Sequence, residues 1–216
     1  MSRPTSKPPG NQRIRVEREP GQYAVLLNAL AKGWSGSLHQ DVQRHVPSRD
    51  LFLTDDFHQA ERTVDKLLAA DYDVIFTGGG DGTIVYLVNA IEERIREGKV
   101  DREEAPPVGV LRMGTGNAIA SYVGAGDVTE DLRALRSGAP LIVYSVDMIE
   151  GAEGLFPFAG IGWDAEILND YAALRDAVHD TAFEPYATGL GGYFASTFTR
   201  TIPNALDHEP VDISVT

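Results

Sequence analysis

The segment DVIFTGGGDGTIVYLVNAI, residues 73–91, joins an apolar run to an amphipathic one through four glycines and one acid. Glycines at such a junction expose backbone N–H groups, which favour phosphate at the start of the following helix. Asp81 stands within the glycines, where its carboxylate would repel a phosphate about 4 Å away by roughly 4 kcal/mol at an effective dielectric near 20. The acid is therefore expected to accept a proton from a hydroxyl or to bind Mg²⁺, and the alternative is that it caps the helix.

Strand-like and helix-like segments alternate along the first two thirds of the chain. Short apolar runs that predict strands occur at 22–30, 50–54, 72–77 and 106–114. Segments with helical spacing or helix boundary signals occur at 38–46, 55–71, 84–97 and 127–138. This alternation predicts a Rossmann-like α/β domain over residues 22–140, a parallel sheet with helices on both faces. Ligands of such sheets lie beyond the carboxyl ends of the strands, where both glycine-rich segments of this chain fall.

The character of the sequence changes after residue 140. LIVYSVDMIEG and LFPFAGIGW read as two strands joined by a short turn, and two helical segments follow. The sequence ends on PVDISVT, a strand-like stretch without an evident partner, and a lone strand would leave an exposed edge. Residues 141–216 are therefore expected to form the start of a β-rich second domain that is incomplete at Thr216.

Composition narrows the class of protein. The chain has no cysteine, which excludes disulfides and cysteine metal sites, and its five histidines show no ligand spacing. The formal net charge of −13 argues against nucleic-acid binding. Residues 1–21 are polar, proline-rich and basic, and are expected to form a disordered tail able to touch an anionic membrane. Without a secretory signal or an apolar run of about 20 residues, the protein is expected in the cytoplasm, with peripheral contact at the inner membrane face.

The motifs resemble one family. GGGDGT closely resembles the signature loop shared by diacylglycerol kinases, sphingosine kinases and NAD kinases, with phosphofructokinases as remoter relatives. GVLRMGTGNAIASYVG is similar to the GTGN segment of the lipid-kinase branch, whereas NAD kinases and phosphofructokinases have a different pattern there. LLNALAKG, the threonine after the second strand, VDMIEG and FAGIGWDAEI match further segments in order, so that the resemblance runs from about residue 22 to 200.

The resemblance implies a set of site residues. Asp81 would be the base or positioner for the acceptor hydroxyl, and Asp164 would face the acceptor. Turn and cap chemistry is the alternative for two of the nucleotide contacts, Asn28 and Thr54, and an N-cap of a helix beginning at 165 is the alternative for Asp164. The residues implied to bind the nucleotide are Asn28, Thr54, Gly78, Gly79, Gly80, Gly82, Thr83, Gly114, Thr115, Gly116 and Asn117. ATP and Mg²⁺ are the implied cofactors, and the metal ligands stay unassigned.

The function implied by the resemblance is that of an ATP-dependent lipid kinase, which transfers the γ-phosphoryl group to a lipid hydroxyl. Two departures from the family pattern are Ala118, where an aspartate often follows GTGN, and Arg112, where many relatives have proline. Further acidic residues of the family would lie beyond Thr216, so that activity depends on a longer chain. The alternatives are a nucleotide-binding regulatory module without catalysis and an NAD kinase-like enzyme. The lipid, the choice of nucleotide and the oligomeric state are left open.

Overall fold

The computed structural model describes residues 15–19, 21–152, 154–160, 162–178, 181 and 194–205. The chain divides into two units, Met1–Pro157 and Phe158–Thr216. The strands of the first unit are β1 Arg15–Arg18, β2 Tyr23–Asn28, β3 Leu51–Thr54, β4 Val74–Gly79, β5 Val108–Arg112, β6 Leu141–Tyr144, β7 Ile149–Gly151 and β8 Gly154–Phe156. Its α-helices are α1 Gly36–His45, α2 Phe57–Leu68, α3 Asp81–Arg96, α4 Ala118–Val123 and α5 Val128–Arg136, and a 3₁₀ turn spans Ser48–Asp50.

Four strands form the central sheet of the first unit, in the order β3-β2-β4-β5. All three pairings are parallel, as the alternation of elements predicts. One face of the sheet packs its buried side chains against α1 and α5, and the other packs against α2 and α3. Every residue of β4 is buried because neighbouring strands and helices cover it on all sides. The predicted α/β architecture is therefore confirmed.

Arg94, a buried residue of the long helix α3, forms an ion pair with α2. Arg94 is only 5% exposed, and its Nε donates to Oδ1 of Asp65 at 2.9 Å. A second carboxylate, on Glu93, accepts from the same guanidinium at 3.1 Å. The hydrogen bond from Arg94 lowers the pKa of Asp65 below its usual value. The Arg94–Asp65 ion pair thus joins α3 to α2, whereas the Arg94–Glu93 pair lies within α3.

Two boundaries differ from the prediction. Arg15–Arg18, expected in a disordered tail, instead form β1, which pairs antiparallel with β6. The apolar strand β6 supplies the backbone partners that the tail sequence alone does not reveal. Residues 1–14 and 20 of the tail lie outside the described residues.

The second difference concerns the first two glycines of the glycine run, which belong to β4 and not to the loop. Gly78 pairs with Leu111 and Gly79 with Arg112. A Cβ atom on Gly78 would lie 2.5 Å from both a methyl carbon of Leu27 and the sulfur of Met113. A side chain at Gly78 would therefore require the ends of the Leu27 and Met113 side chains to move, and the role in phosphate binding predicted for Gly78 stays a prediction.

The hairpin β7–β8 belongs to the first unit, although the domain boundary was expected at residue 140. Asn89 on α3 explains this. Its Nδ2 donates to the carbonyl of Leu155 at 2.9 Å, and its Oδ1 accepts from the N–H of the same residue at 2.7 Å. The hairpin is thus bound to the middle of α3, and the boundary falls after Pro157.

The described part of the second unit is helical. It contains α6 Trp163–Val178, a π-helical turn Thr197–Thr201 and α7 Ile202–Ala205. Thr201 donates a hydrogen bond of 2.7 Å to Asp170, which joins the turn to α6. Among the described residues of 141–216, the strands β6, β7 and β8 belong to the first unit, and PVDISVT lies outside the described residues. Among the described helices, none has the length and hydropathy needed to cross a bilayer.

Candidate functional site

The two glycine-rich segments meet at the carboxyl edge of the central sheet. The first leads from β4 into α3, and the second, residues 114–117, leads from β5 into α4. A Cβ atom on Gly114 would lie 2.5 Å from the Cα of Gly80 and 3.2 Å from the carbonyl oxygen of Gly79. Only a glycine allows two backbones to approach this closely. The predicted meeting of the two loops is therefore present as a direct backbone contact.

The second loop is closed on itself by Asn117. Its backbone is left-handed, with φ 52° and ψ 39°, a region in which asparagine is tolerated better than most residues. Its side-chain oxygen accepts from the N–H of Gly114 at 2.8 Å, and its nitrogen donates to the carbonyl of Gly114 at 2.6 Å. The asparagine of GTGN thus sets the shape of the loop, while Thr115 and Gly116 are exposed at its tip.

Asp81 joins the first loop to the second. It is the first residue of α3, whose N-cap is Gly80. Its Oδ1 accepts from the N–H of Ile119 at 2.9 Å, and its Oδ2 accepts from the N–H of Ala118 at 3.1 Å. The sequence offered a proton acceptor, a Mg²⁺ ligand or a cap of its own helix, and in the structure the carboxylate caps a different helix, α4. Two acceptor positions of the half-buried carboxylate are used by α4, and about two more remain for a ligand.

Asn28 connects the end of β2 to the same loop. Its Nδ2 donates to the hydroxyl of Thr83 at 3.2 Å, and its Oδ1 accepts from the N–H of Leu30 at 2.9 Å. Thr54 behaves differently, because its side chain is 7% exposed and donates to the carbonyl of Leu27 at 3.4 Å. The structure therefore places Asn28 in contact with Thr83, just after the first glycine loop, and buries Thr54 at the end of the central sheet.

Asp164, the predicted acceptor-side residue, lies in the second unit. It is the second residue of α6, which begins at Trp163. It is therefore not the N-cap of a helix beginning at 165, and its predicted place on the acceptor side stays a prediction.

Sequence reasoning assigned no site residue to the loop that follows β2. The N–H of Gly33 donates to the carbonyl of Met113 at 2.9 Å, and a Cβ on Gly33 would lie 2.6 Å from that oxygen. This contact brings the exposed Lys32 beside the second glycine loop. The sequence feature that could have indicated this contact is Lys32 followed by Gly33, after a strand that ends at the same edge of the sheet.

Arg112 occupies the last position of β5, beside Gly79. In the structure its guanidinium donates to the hydroxyl of Ser121 on α4. The short helix α4 is thus held at its first turn by Asp81 and further along by Arg112.

At the two glycine loops, the acid that could bind a metal ion is Asp81. No group of three or more His, Cys, Asp or Glu side chains suited to a metal ion occurs in the part of the chain that the structure describes. A cation at the glycine loops would therefore take most of its ligands from a bound ligand or from water. This is the usual situation of Mg²⁺ with phosphates, which keeps several waters and uses one or two carboxylates.

A parallel sheet with two glycine loops and an acid at its carboxyl edge defines the class of α/β phosphate-binding proteins. The model of the diacylglycerol kinase catalytic domain matches residues 22–146, more than half of the chain. This chain belongs to the diacylglycerol kinase catalytic domain family.

Two relatives illustrate how far the similarity extends. Diacylglycerol kinase 2 of Arabidopsis thaliana is 25% identical over 174 residues, which cover 70% of this chain and 24% of that protein. Human sphingosine kinase 2 is 28% identical over 177 residues, which cover 72% of this chain and 26% of that protein. The chain thus spans about a quarter of the length of these relatives.

One solved structure aligns with part of the chain. The crystal structure of a diacylglycerol kinase from Bacillus anthracis str. Sterne aligns with a TM-score of 0.40 and 20% sequence identity. The alignment covers 54% of this chain and 42% of that one.

Proposed function

We propose that this chain forms the nucleotide-binding part of an ATP-dependent lipid kinase, which transfers the γ-phosphoryl group of ATP to a lipid hydroxyl. The observation that carries the proposal is the pair of glycine loops in backbone contact, with Asp81 between them, in a member of the diacylglycerol kinase catalytic domain family. Family membership supports kinase chemistry. The lipid alcohol, presented at a membrane surface, is the finer part of the proposal.

The residues at the start of α3 fit a phosphate. The first amides of a helix lack intrahelical acceptors, and the helix dipole adds partial positive charge there. In α3 the N–H groups of Thr83 and Ile84 bond to the carbonyl of Gly80, so the two preceding amides, of Asp81 and Gly82, are those without an intrahelical acceptor. A Cβ on Gly82 would meet nothing within 4 Å. Open space beside Gly82 and N–H groups without an intrahelical acceptor are therefore both available at the start of α3.

The charges around the loops fit a triphosphate with Mg²⁺. Lys32 offers positive charge from the loop after β2, and Asp81 offers the remaining carboxylate positions to a cation. When bound, Mg²⁺ would neutralise phosphate charge and orient the terminal phosphoryl group. Asp81 would hold the acceptor hydroxyl in line and take up its proton, while the loop amides of α3 stabilise developing charge.

Phosphate transfer to a lipid tests the proposal directly. The 216-residue chain and any longer form of the same gene product would be incubated with γ-³²P-ATP, Mg²⁺ and a mixed lipid extract. We expect label in one chloroform-soluble product that depends on Mg²⁺. Absence of labelled lipid from both forms would contradict the proposed activity, and label in NAD would transfer the assignment to an NAD kinase-like enzyme.

Gly82→Ala is expected to separate ligand binding from folding. Alanine at a helical position favours the folded state by about 0.5–1 kcal/mol relative to glycine, and the added methyl meets no atom of the protein. The same methyl would stand where a phosphate approaches the first amides of α3. We therefore expect the melting temperature to stay or rise while the affinity for ATP falls about tenfold, measured by calorimetry. Unchanged affinity would remove Gly82 from the phosphate cradle.

A second function, nucleotide binding without transfer, is favoured by one observation. Both oxygens of Asp81 are already bonded to amides of α4, an arrangement that also suits a purely structural acid. Micromolar ATP affinity together with no transfer to any lipid, in both the 216-residue chain and a longer form, would support this function over the kinase.

A further inference from the structure

A cavity of about 660 Å³ lies at the amino edge of the central sheet, the edge opposite the glycine loops. Its walls come from the segments that lead into β2, β3 and β4 and from the ends of α1 and α5. Because β2 has six residues, about 17–20 Å of strand separate this cavity from Asn28 at the carboxyl edge. This amino-edge cavity is therefore separate from the proposed nucleotide site, and its volume is within the usual range for small ligands.

The lining of the amino-edge cavity is basic, although the chain as a whole is acidic. Among the described lining residues, three are arginines, Arg44, Arg49 and Arg136, and one is an acid, Asp50. The whole chain has 19 lysines and arginines against 32 aspartates and glutamates. The charge of the cavity is thus opposite to that of the molecule, and it favours an anionic ligand.

Arg136 is the arginine with the largest remaining capacity to bind an anion. Its Nη1 donates to the backbone carbonyl of Arg44, which places the guanidinium between the ends of α5 and α1. This bond uses one of the five N–H donors of the guanidinium. Within the part of the chain that the structure describes, no carboxylate forms an ion pair with Arg136.

The other two arginines already have carboxylate partners. Arg44 forms an ion pair with Asp41 at 2.6 Å. Arg49 forms one with Asp50 at 3.3 Å, and its side chain is 86% exposed. Exposed pairs of this kind contribute little, so both guanidinium groups can exchange their partner for a more highly charged anion.

Two tyrosines complete the polar part of the wall. The hydroxyl of Tyr72 donates to Oδ1 of Asp50 at 3.0 Å. Burial raises the pKa of Tyr23 above its usual value, and the nearby charges of Arg136 and Asp50 act on it in opposite directions. Tyr23 thus lies close to both the main cation and the acid of the cavity.

We propose that the amino-edge cavity binds a small soluble phosphomonoester, with its phosphate held by Arg136 and with Arg44 and Arg49 supplying further positive charge. A guanidinium presents a planar fork that matches two oxygens of a phosphate. The cavity is larger than a phosphate ion, so the remainder of the ligand would lie against the tyrosines. This site does not depend on the proposed kinase function, because none of its residues belongs to the glycine loops.

The test is a titration of the 216-residue chain with glucose 6-phosphate, followed by the amide signals of its glycines in ¹⁵N NMR spectra. We expect Gly21 and Gly138, which line the cavity, to shift with one common dissociation constant. Gly80 and Gly116 report separately on any phosphate bound at the glycine loops. Glucose, which lacks the phosphate, should leave Gly21 and Gly138 unshifted. No shift at these two glycines with glucose 6-phosphate, or the same shift with glucose, would overturn the proposal.

Arg136→Gln should weaken the binding of glucose 6-phosphate at least tenfold, because it removes the charge without an internal partner. Arg133→Gln is the matched control, since Arg133 is exposed on the same helix and lies outside the lining, and its variant should bind as the wild type does. If Arg136→Gln does not fold, Arg49→Gln removes a charge from the same cavity and should weaken binding about two- to fivefold. Wild-type affinity in a folded variant of either lining arginine would exclude this site.

Asp50→Asn is expected to change affinity in the opposite direction. The amide oxygen can still accept from Tyr72, while the negative charge that repels a phosphate is removed. We expect glucose 6-phosphate to bind about two- to fivefold more tightly. Weaker binding to this variant would contradict an anion site.

A phosphate group can also be presented by a lipid, and a further measurement separates the two sources. The chain would be sedimented with vesicles of phosphatidylcholine and phosphatidic acid. Sedimentation that requires Arg136, without any binding of glucose 6-phosphate, would replace the soluble ligand by a lipid headgroup. Binding to neither would show that the arginines serve only the negative ends of α1 and α5.

Discussion

Asp81→Asn is expected to lower lipid phosphorylation by about 10²- to 10⁴-fold while leaving ATP affinity within a few-fold of the wild type. This range is the usual contribution of a positioned general base. An amide at residue 81 has the shape of the acid but cannot take the proton of the acceptor hydroxyl. Steady-state transfer rates and calorimetric ATP binding measure the two effects separately. Unchanged transfer rates would remove Asp81 from the mechanism.

The structure adds a complication to this experiment, because Asp81 also caps α4. An amide oxygen at this position still accepts one N–H from Ala118 or Ile119, but its NH₂ group cannot accept the other. We therefore expect a loss of about 1 kcal/mol in the free energy of unfolding as well. Chemical denaturation of both proteins measures this loss.

Asp127→Asn is the control that matches this structural effect. Asp127 caps α5, where its Oδ1 accepts from the N–H groups of Thr129 and Glu130 at 2.9 and 3.2 Å. Asp127 lies outside the glycine loops, so Asp127→Asn should lower the free energy of unfolding by a fraction of a kcal/mol and keep full transfer activity. Equal losses of activity in both variants would show that Asp81 acts only through stability.

Gly114→Ala is expected to separate the two glycine loops and to reduce ATP affinity more than tenfold. Its Cβ would lie 2.5 Å from the Cα of Gly80, and backbone atoms on both sides leave no flexible group to move aside. Forcing atoms into such a contact usually costs about 1–3 kcal/mol of stability. ATP titration and denaturation of the purified variant measure the two losses.

Gly80→Ala tests the same contact from the other side. A Cβ on Gly80 would lie 3.8 Å from the Cα of Gly114, an ordinary van der Waals distance. This variant should therefore keep the wild-type free energy of unfolding. Destabilisation of both variants to the same degree would mean that the two loops do not meet in the way described.

The alternating pattern of strands and helices was sufficient to predict the parallel sheet. Apolar runs of strand length and amphipathic helices are local signals, and the rules for connecting parallel strands leave few topologies. The predicted helix 127–138 corresponds to α5 at Val128–Arg136, and the predicted strand 50–54 corresponds to β3 at Leu51–Thr54.

The differences arise where tertiary contacts decide the structure. β1 exists because a strand more than 120 residues later pairs with it, and the hairpin joins the first unit through Asn89 and Arg96 of α3, which bond to Leu155 and Glu150. Neither of these long-range contacts can be inferred from the local spacing of apolar residues. The same holds for Gly78, whose pairing with Leu111 within the buried strand β4 cannot be inferred from the glycine run itself.

The motifs indicated which residues lie at the candidate site better than they indicated which of these residues are hydrogen-bonded to one another. The motifs placed Asp81 and Asn117 correctly at the glycine loops, because the loops follow neighbouring strands at one edge of the sheet. They did not show that Asp81 bonds to α4 or that Lys32 is carried to the second loop by Gly33. These contacts join segments that are distant in sequence, and a family pattern records residues but not hydrogen bonds.

The loop of Gly114 to Asn117 is shaped by its own asparagine and touches Gly80 directly. Both loops are thus held in shape by contacts within the protein itself. If they bind a nucleotide as proposed, binding would cost little further loss of backbone entropy and would not wait for the loops to fold.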